Sequence, residues 1–90
     1  MLTDEQAKRN IAANVTRLQG DLSYGELARR CSLKNDRIYP SAIQRIARGE
    51  NMPGAGLLAR LAEALGASVD ELLDFPPKNR PEKKLEKIAG

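Results

Sequence analysis

Apolar side chains recur every three or four residues through most of the chain, which is the period of an α-helix. Polar residues, glycines and prolines interrupt this pattern and separate the apolar stripes from one another. We therefore expect an all-α fold, a compact bundle of five helices. The spacing places these helices at about residues 4–19, 24–31, 40–48, 57–65 and 69–74.

The predicted helix starts carry capping signals. In a capping box, the hydroxyl of Ser or Thr accepts a backbone N–H, and an acidic or amide side chain three residues later reaches back. Pro40 fixes the start of the third helix, because proline is tolerated in a first turn and disruptive in an interior. The three candidate boxes pair Thr3 with Gln6, Ser23 with Glu26, and Ser68 with Glu71.

The end of the domain is marked by Pro76 and Pro77, because neither proline can continue a helix. We expect one domain at residues 1–75 and a basic tail at residues 76–90. The tail is rich in Lys and Glu, which is typical of disorder. A short amphipathic helix that starts near Pro81 is the alternative.

Composition limits the class of protein. The 90 residues allow one small domain with one modest core. The aromatic residues are Tyr24, Tyr39 and Phe75, so the core must consist of Leu, Ile, Val and Ala. No apolar run approaches the roughly 20 residues that a membrane span needs, and the start of the chain is too polar for a secretory signal. We therefore expect a soluble cytoplasmic protein that does not bind a membrane.

Few residues could support catalysis or hold a metal. Cys31 is the single cysteine and histidine is absent, so the usual metal ligands and acid–base groups are missing. The carboxylates are scattered singly, without a close pair. We expect no enzyme activity, no cofactor and no metal site. Cys31 is interpreted as a small buried residue at a helix end, and a redox-active or nucleophilic thiol is the alternative.

Charge is divided unevenly along the chain. Between residues 24 and 48, six arginines and lysines stand against two acidic residues. Between residues 49 and 75, one arginine stands against five acidic residues. A basic middle beside an acidic second half favours a face that binds a polyanion, and an ordinary solvated surface is the alternative.

The second and third predicted helices form a candidate DNA-reading unit. Such a unit needs a short helix that lies over the DNA backbone and a second helix whose outward side chains enter the major groove. Arg can donate two hydrogen bonds to guanine, and Gln can pair with adenine. An ordinary polar helix face is the alternative. The outward residues of the third helix that suit base reading are Ser41, Gln44 and Arg45.

Four stretches of the chain carry a more specific pattern. They are LSYGELARR at 22–30, IQRIARGE at 43–50, LLARLAEALG at 57–66 and SVDELL at 68–73. In these stretches the chain resembles the lambdoid-repressor and Cro-like helix-turn-helix family, also called the XRE family. The resemblance covers most of residues 22–73 and implies a lambda-repressor-like fold, with the helix-turn-helix formed by helices two and three.

The resemblance also implies a function. Members of the family usually regulate transcription by binding two-fold operators in double-stranded DNA as homodimers, and some act as antitoxins. Ser41, Gln44 and Arg45 are then expected to face bases. The residues expected to approach phosphates are Tyr24, Tyr39, Arg48 and Asn51. The alternative function is an antitoxin or other protein-interaction module whose tail, from Lys78 onwards, binds a protein partner.

The chain departs from the family pattern at both helix starts of this unit. Tyr24 replaces the usual Gln, so it can donate its hydroxyl to a phosphate but cannot form the same amide network. The third helix begins with Tyr39 and Pro40 where a small capping residue is more common. Ser41 with Gln44 offers a rival capping box, which would occupy Gln44 and reduce its availability to a base.

The third departure is a long turn. Residues 32–39 lack helical periodicity and are predicted as a loop, about five residues longer than the usual turn of the family. Ile38 is expected to take the buried position in this turn. Because the loop directly precedes the reading helix, its polar side chains could touch phosphate, and a solvated spacer is the alternative. The candidate phosphate contacts on the loop are Lys34, Asn35 and Arg37.

Phe75 is a lone aromatic residue after the last predicted helix. Together with Leu72 and Leu73 it forms the candidate dimer interface. A lid that covers the core is the alternative interpretation of Phe75.

Overall fold

The computed structural model describes residues 2–77 and is all-helical over this range. The five predicted helices are confirmed. The third, fourth and fifth helices each end one residue earlier than predicted, because Arg48, Leu65 and Asp74 are their C-caps, and the fourth begins before its apolar stripe. The helices are α1 (Asp4–Gln19), α2 (Tyr24–Cys31), α3 (Pro40–Ala47), α4 (Ala55–Ala64) and α5 (Val69–Leu73).

The predicted capping boxes form completely only at α1. There the Thr3 hydroxyl accepts the Gln6 N–H, and the Gln6 side chain accepts the Thr3 N–H, both at 3.1 Å. At α2 and α5 the serine hydroxyls accept as predicted. The prediction that Glu26 and Glu71 accept the N–H groups of the two serines was wrong, because their carboxylates form ion pairs with arginines.

The core lies where the inward faces of the helices meet. α1 packs against α3 and α5, while α2 packs against α3 and α4. α3 therefore lies between α1 and α2, which fixes the position of its outward face. The buried cluster is almost entirely aliphatic, as the composition predicted: Ile11, Val15, Leu27, Ala28, Cys31, Ile43, Ile46, Leu58, Leu61, Ala62 and Leu72.

Two asparagines on α1 are buried beside this cluster, which the sequence pattern did not indicate. The Asn10 side-chain nitrogen donates to the Leu73 carbonyl at 2.8 Å, and that of Asn14 lies 2.7 Å from the Asp74 carbonyl. These carbonyls end α5 and have no partner within the helix itself. The two amides thus fasten the last helix to the first.

The domain extends slightly beyond its predicted boundary. Pro76 is buried, so the folded part includes residue 76 rather than ending at residue 75. The predictions for the tail, namely disorder, a helix from Pro81 and a partner-binding segment from Lys78, fall outside residues 2–77. Within that range, no helix has the length and apolar character required to cross a membrane.

Candidate nucleic-acid interface

The two faces of α3 are clearly distinguished. Ile43 and Ile46 are buried in the core, and this inward placement confirms the sequence prediction. Ser41 and Arg45 are exposed on the opposite face, and Gln44 is half-buried at its edge. The three predicted base-reading residues therefore lie together on the outward side of one helix. Their contact with bases stays a prediction.

The α3 helix is capped by Tyr39 and not by Ser41. Tyr39 is the N-cap without a side-chain hydrogen bond, and Pro40 occupies the first turn. The Tyr39 carbonyl accepts the N–H of Ala42 at 3.0 Å. Ser41 thus lies inside the helix, and the rival capping box does not form. Gln44 is not drawn into a cap.

The α3 helix ends in a tight turn. Gly49 has a φ of 77°, which favours glycine, and its N–H donates to the Ile46 carbonyl at 3.0 Å. The guanidinium of Arg48 lies 4.0 Å from the Glu50 carboxylate, and both side chains are mostly exposed. Asn51 follows and is exposed. The predicted phosphate contacts Arg48 and Asn51 therefore lie at the C-terminal end of the exposed α3 face.

The long turn is an ordered loop. The Ser32 hydroxyl donates to the Ala28 carbonyl at 2.9 Å and accepts the N–H of Ile38 at 2.8 Å, so it joins both ends of the loop. Leu33 and Asp36 exchange two backbone hydrogen bonds, of 2.8 and 3.1 Å. Ile38 packs against the core, as predicted, but it is half-buried rather than buried. The bridge leaves Lys34 and Asn35 exposed at the tip.

Arg37 and Tyr39 form a pair between this tip and α3. The guanidinium carbon of Arg37 lies 5.6 Å from the centre of the Tyr39 ring, which is a cation–π distance. Both residues are exposed. The ring therefore supports the guanidinium without cancelling its charge.

The start of α2 is less available than the sequence suggested. Tyr24 is half-buried, and its side chain packs against the core cluster. Arg29 and Arg30 both hydrogen-bond to Glu26, and these hydrogen bonds, first that of Arg29, lower the pKa of the Glu26 carboxyl. Glu26 is therefore ionised at neutral pH and compensates one of the two positive charges of Arg29 and Arg30.

A cleft of about 530 Å³ separates the loop from the starts of α2 and α3. Gly25 and Ala28 contribute to its α2 side. The cationic residues that line it are Arg29, Lys34 and Arg37.

The cationic side chains fall into two groups. Within residues 2–77, those on α1, α2 and α4, together with Arg48, all lie in ion pairs with carboxylates. Over the same range, the lysines and arginines outside any ion pair are Lys34, Arg37 and Arg45. All three lie on the loop or on α3. The cations without a carboxylate partner in this range are therefore concentrated at the predicted DNA-reading unit.

Cys31 lies outside this surface. It is fully buried at the end of α2, and burial raises the pKa of its thiol. A neutral, enclosed thiol favours the interpretation of Cys31 as a core residue.

The predicted dimer residues are separated by the fold. Leu72 is completely buried in the core, so its side chain is not available to a second copy, and its assignment to an interface is corrected. Leu73 is half-buried against the same core. Phe75 is 46% exposed and remains the candidate contact.

Comparison with protein families identifies the class of this chain. A family model for a helix-turn-helix domain matches residues 13–75, which includes α2, the loop, α3, α4 and α5. The chain therefore belongs to the helix-turn-helix domain family, and the match is consistent with the XRE-like domain that the motifs indicated. A helix-turn-helix domain indicates DNA as the partner. Curated proteins and solved structures give no match to the chain.

Proposed function

We propose that this protein is a sequence-specific regulator of transcription that binds double-stranded DNA with α3 in the major groove. The observation that carries the proposal is the concentration of ion-pair-free cations, Lys34, Arg37 and Arg45, on the loop and α3. A cation without a carboxylate partner can bind phosphate or a base edge without first breaking an ion pair.

Base reading is assigned to the exposed face of α3. Arg45 suits bidentate binding of guanine, and Gln44, which is not part of a cap, suits adenine. Ser41, one turn earlier, can donate to or accept from a base edge. In this arrangement direct readout of the sequence comes from these side chains, because phosphate and sugar contacts carry no sequence information directly.

Affinity is assigned to the residues that border this face. Lys34, Asn35 and Arg37 precede α3, and Arg48 with Asn51 follows it, so phosphates on both sides of the groove can be reached. Tyr24 and Tyr39 can donate their hydroxyls at the starts of α2 and α3. These contacts position the domain without reading sequence.

The regulator is proposed to act as a repressor in the cytoplasm, as a homodimer on a two-fold operator, without catalysis or a cofactor. Two copies of a helix-turn-helix bind half-sites about 34 Å, or one helical turn, apart. Phe75 is the proposed dimer contact, because it presents a large apolar side chain at the end of the domain.

Selection of bound sequences from a random pool of double-stranded DNA tests the proposal. We expect enrichment of a consensus made of two inverted half-sites. A matched selection with a variant in which Ser41, Gln44 and Arg45 are all alanine should lose the consensus while retaining weak, sequence-independent binding. Absence of enrichment with the natural sequence would exclude sequence-specific binding.

A further inference from the structure

Arg60 connects α4 to the long loop. Its Nε donates to the carbonyl of Cys31, the last residue of α2, at 2.8 Å. Its Nη2 lies 2.9 Å from a carboxylate oxygen of Asp36, which is in the loop. The Arg60 side chain is only 20% exposed, and its contact with the Cys31 carbonyl is partly buried, whereas its contact with Asp36 is exposed. One guanidinium therefore binds the end of α2 and the loop together.

Both ends of the loop are attached, through Ser32 and Ile38, but its tip at residues 33–37 has little other attachment to the domain. Leu33 is 53% exposed, and the residues from Lys34 to Arg37 are exposed as well. The Leu33–Asp36 bridge closes the tip upon itself but does not join it to a helix. Within residues 2–77, the only hydrogen bond that joins segment 33–37 to a helix is that of Arg60 to Asp36. The cleft below the loop leaves its α2 side open.

Arg60 also changes the charge that the loop presents. Asp36 lies next to Arg37 and close in sequence to Lys34, so its carboxylate would repel the same phosphates that these cations attract. Its ion pair with Arg60 compensates that charge from the α4 side. Lys34 and Arg37 then act as the effective charges of the loop.

We propose that Arg60 is a positioning residue for DNA binding: through Asp36 and the Cys31 carbonyl it holds the loop in the position from which Lys34 and Arg37 meet phosphate. This inference rests on the proposed function. Ordering a loop before binding strengthens binding, because less conformational freedom is lost on association. Arg60 holds the loop from α4, a helix outside the DNA-reading unit.

The variant Asp36→Ala gives the sharpest test, because the two effects of this change have opposite signs. Removal of a negative charge by itself strengthens binding to a polyanion. Loss of the attachment to Arg60 weakens it. We expect Asp36→Ala to bind all DNA sequences about three- to tenfold more weakly. Equal or tighter binding would overturn the proposal. Asp36 is mostly exposed, so the variant is expected to fold.

Arg60→Met removes the attachment from the other side, and Arg17→Met is its matched control. Arg17 also has a partly exposed guanidinium in an ion pair, with Glu71 on α5. Each change removes one positive charge, so the net charge of the protein falls equally. We expect Arg60→Met to weaken DNA binding about tenfold more than Arg17→Met does. Equal losses in the two variants would contradict a positioning role.

Amide hydrogen exchange measures loop order without DNA. The N–H of residue 36 is bonded to the Leu33 carbonyl, and the N–H of Ile38 to the Ser32 hydroxyl. Both should exchange at least about tenfold faster in Asp36→Ala and Arg60→Met than in the unaltered protein and Arg17→Met. Unchanged exchange would show that Arg60 does not hold the loop. Absence of DNA binding by the unaltered protein would instead overturn the proposed function.

Discussion

The side-chain nitrogen of Asn14 lies 2.7 Å from the backbone carbonyl oxygen of Asp74, and so joins the middle of α1 to the residue that ends α5. The same nitrogen is within 3.0 Å of the Leu72 carbonyl, and Asn14 is completely buried. Arg17 donates to the other end of the Asn14 amide at 3.1 Å. Together with Asn10, the Asn14 side chain therefore joins the first helix of the bundle to the last.

Replacement of Asn14 by alanine should lower the free energy of unfolding by about 1–3 kcal/mol, because the buried Leu72 carbonyl loses its side-chain donor. Urea denaturation measures this loss. Thr16→Ala is the control, since that exposed hydroxyl makes one hydrogen bond of 3.4 Å to the Ala47 carbonyl. If Asn14→Ala costs no more than Thr16→Ala, the amide does not stabilise the closure.

Arg45 and Arg48 should differ in the kind of DNA binding that they support. Arg45→Ala is expected to cost about 1–3 kcal/mol on the preferred site and to relax preference at one base pair. Arg48→Ala should weaken all sequences about equally, because it lies at the helix end and is assigned to phosphate. Titrations of each variant with consensus and scrambled DNA separate these results. Uniform loss in both variants would show that the reading face is placed incorrectly.

The loop cations should contribute to salt dependence. With Lys34 and Arg37 both changed to alanine, folding should be nearly unchanged because the two side chains are exposed. Affinity for every sequence should fall, and the slope of log affinity against log salt should decrease by about one to two units.

A double change of Lys8 and Arg9 to alanine is the matched control for these loop cations. It removes the same charge from α1, where both side chains pair with Glu5. An equal decrease in slope from that control would mean that the loop makes no specific phosphate contact. A changed consensus in the loop variant would mean that the loop reads bases.

Cys31 should react slowly with iodoacetamide at pH 8 in the folded protein and quickly in denaturant, because burial raises the pKa of its thiol. The same shift predicts a pH dependence of stability. The contribution is fully present below the unfolded-state pKa of about 8.5 and is lost as the pH rises through the folded-state value. Urea denaturation should show that the free energy of unfolding falls less between pH 7 and pH 10 in Cys31→Ala than in the unaltered protein. Rapid alkylation of the folded protein would restore the reactive-thiol interpretation.

Phe75→Ala should weaken dimer formation on a two-half-site DNA while changing the melting temperature little, because about half of the residue is exposed. Sedimentation velocity with one-half-site and two-half-site DNA measures assembly. Met52→Ala is the control, since Met52 is exposed to the same extent and lies on a different connection. A lower melting temperature with unchanged assembly would identify Phe75 as a lid over the core.

Much of the fold could be predicted because its signals are local. Helix α1 needs only its apolar spacing and the cap at Thr3, and the start of α3 follows from the ring of Pro40. The outward placement of Arg45 follows from helical periodicity once Ile43 and Ile46 are assigned to the core. These features depend on residues within one or two turns, so the sequence is sufficient to predict them.

Ion pairs and hydrogen bonds between residues far apart in the sequence could not be predicted in this way. Glu71 fits a capping box by spacing, yet its carboxylate binds Arg17 because packing brings α1 beside α5. Asn14 appears as a polar interruption of an apolar stripe, since its acceptors belong to a helix far along the chain. A buried amide is stable only where such acceptors surround it, and only the assembled bundle supplies them.

By itself, the sequence determined the five helices, the aliphatic core, the basic loop and the outward face of α3, because each follows from spacing and side-chain chemistry. The tertiary structure alone decided which charges remain available. Arg60 is neutralised by Asp36 across the domain, whereas Lys34, Arg37 and Arg45 have no carboxylate partner within residues 2–77. Ion pairing depends on distances of a few ångströms between side chains, and those distances are fixed only when the helices pack.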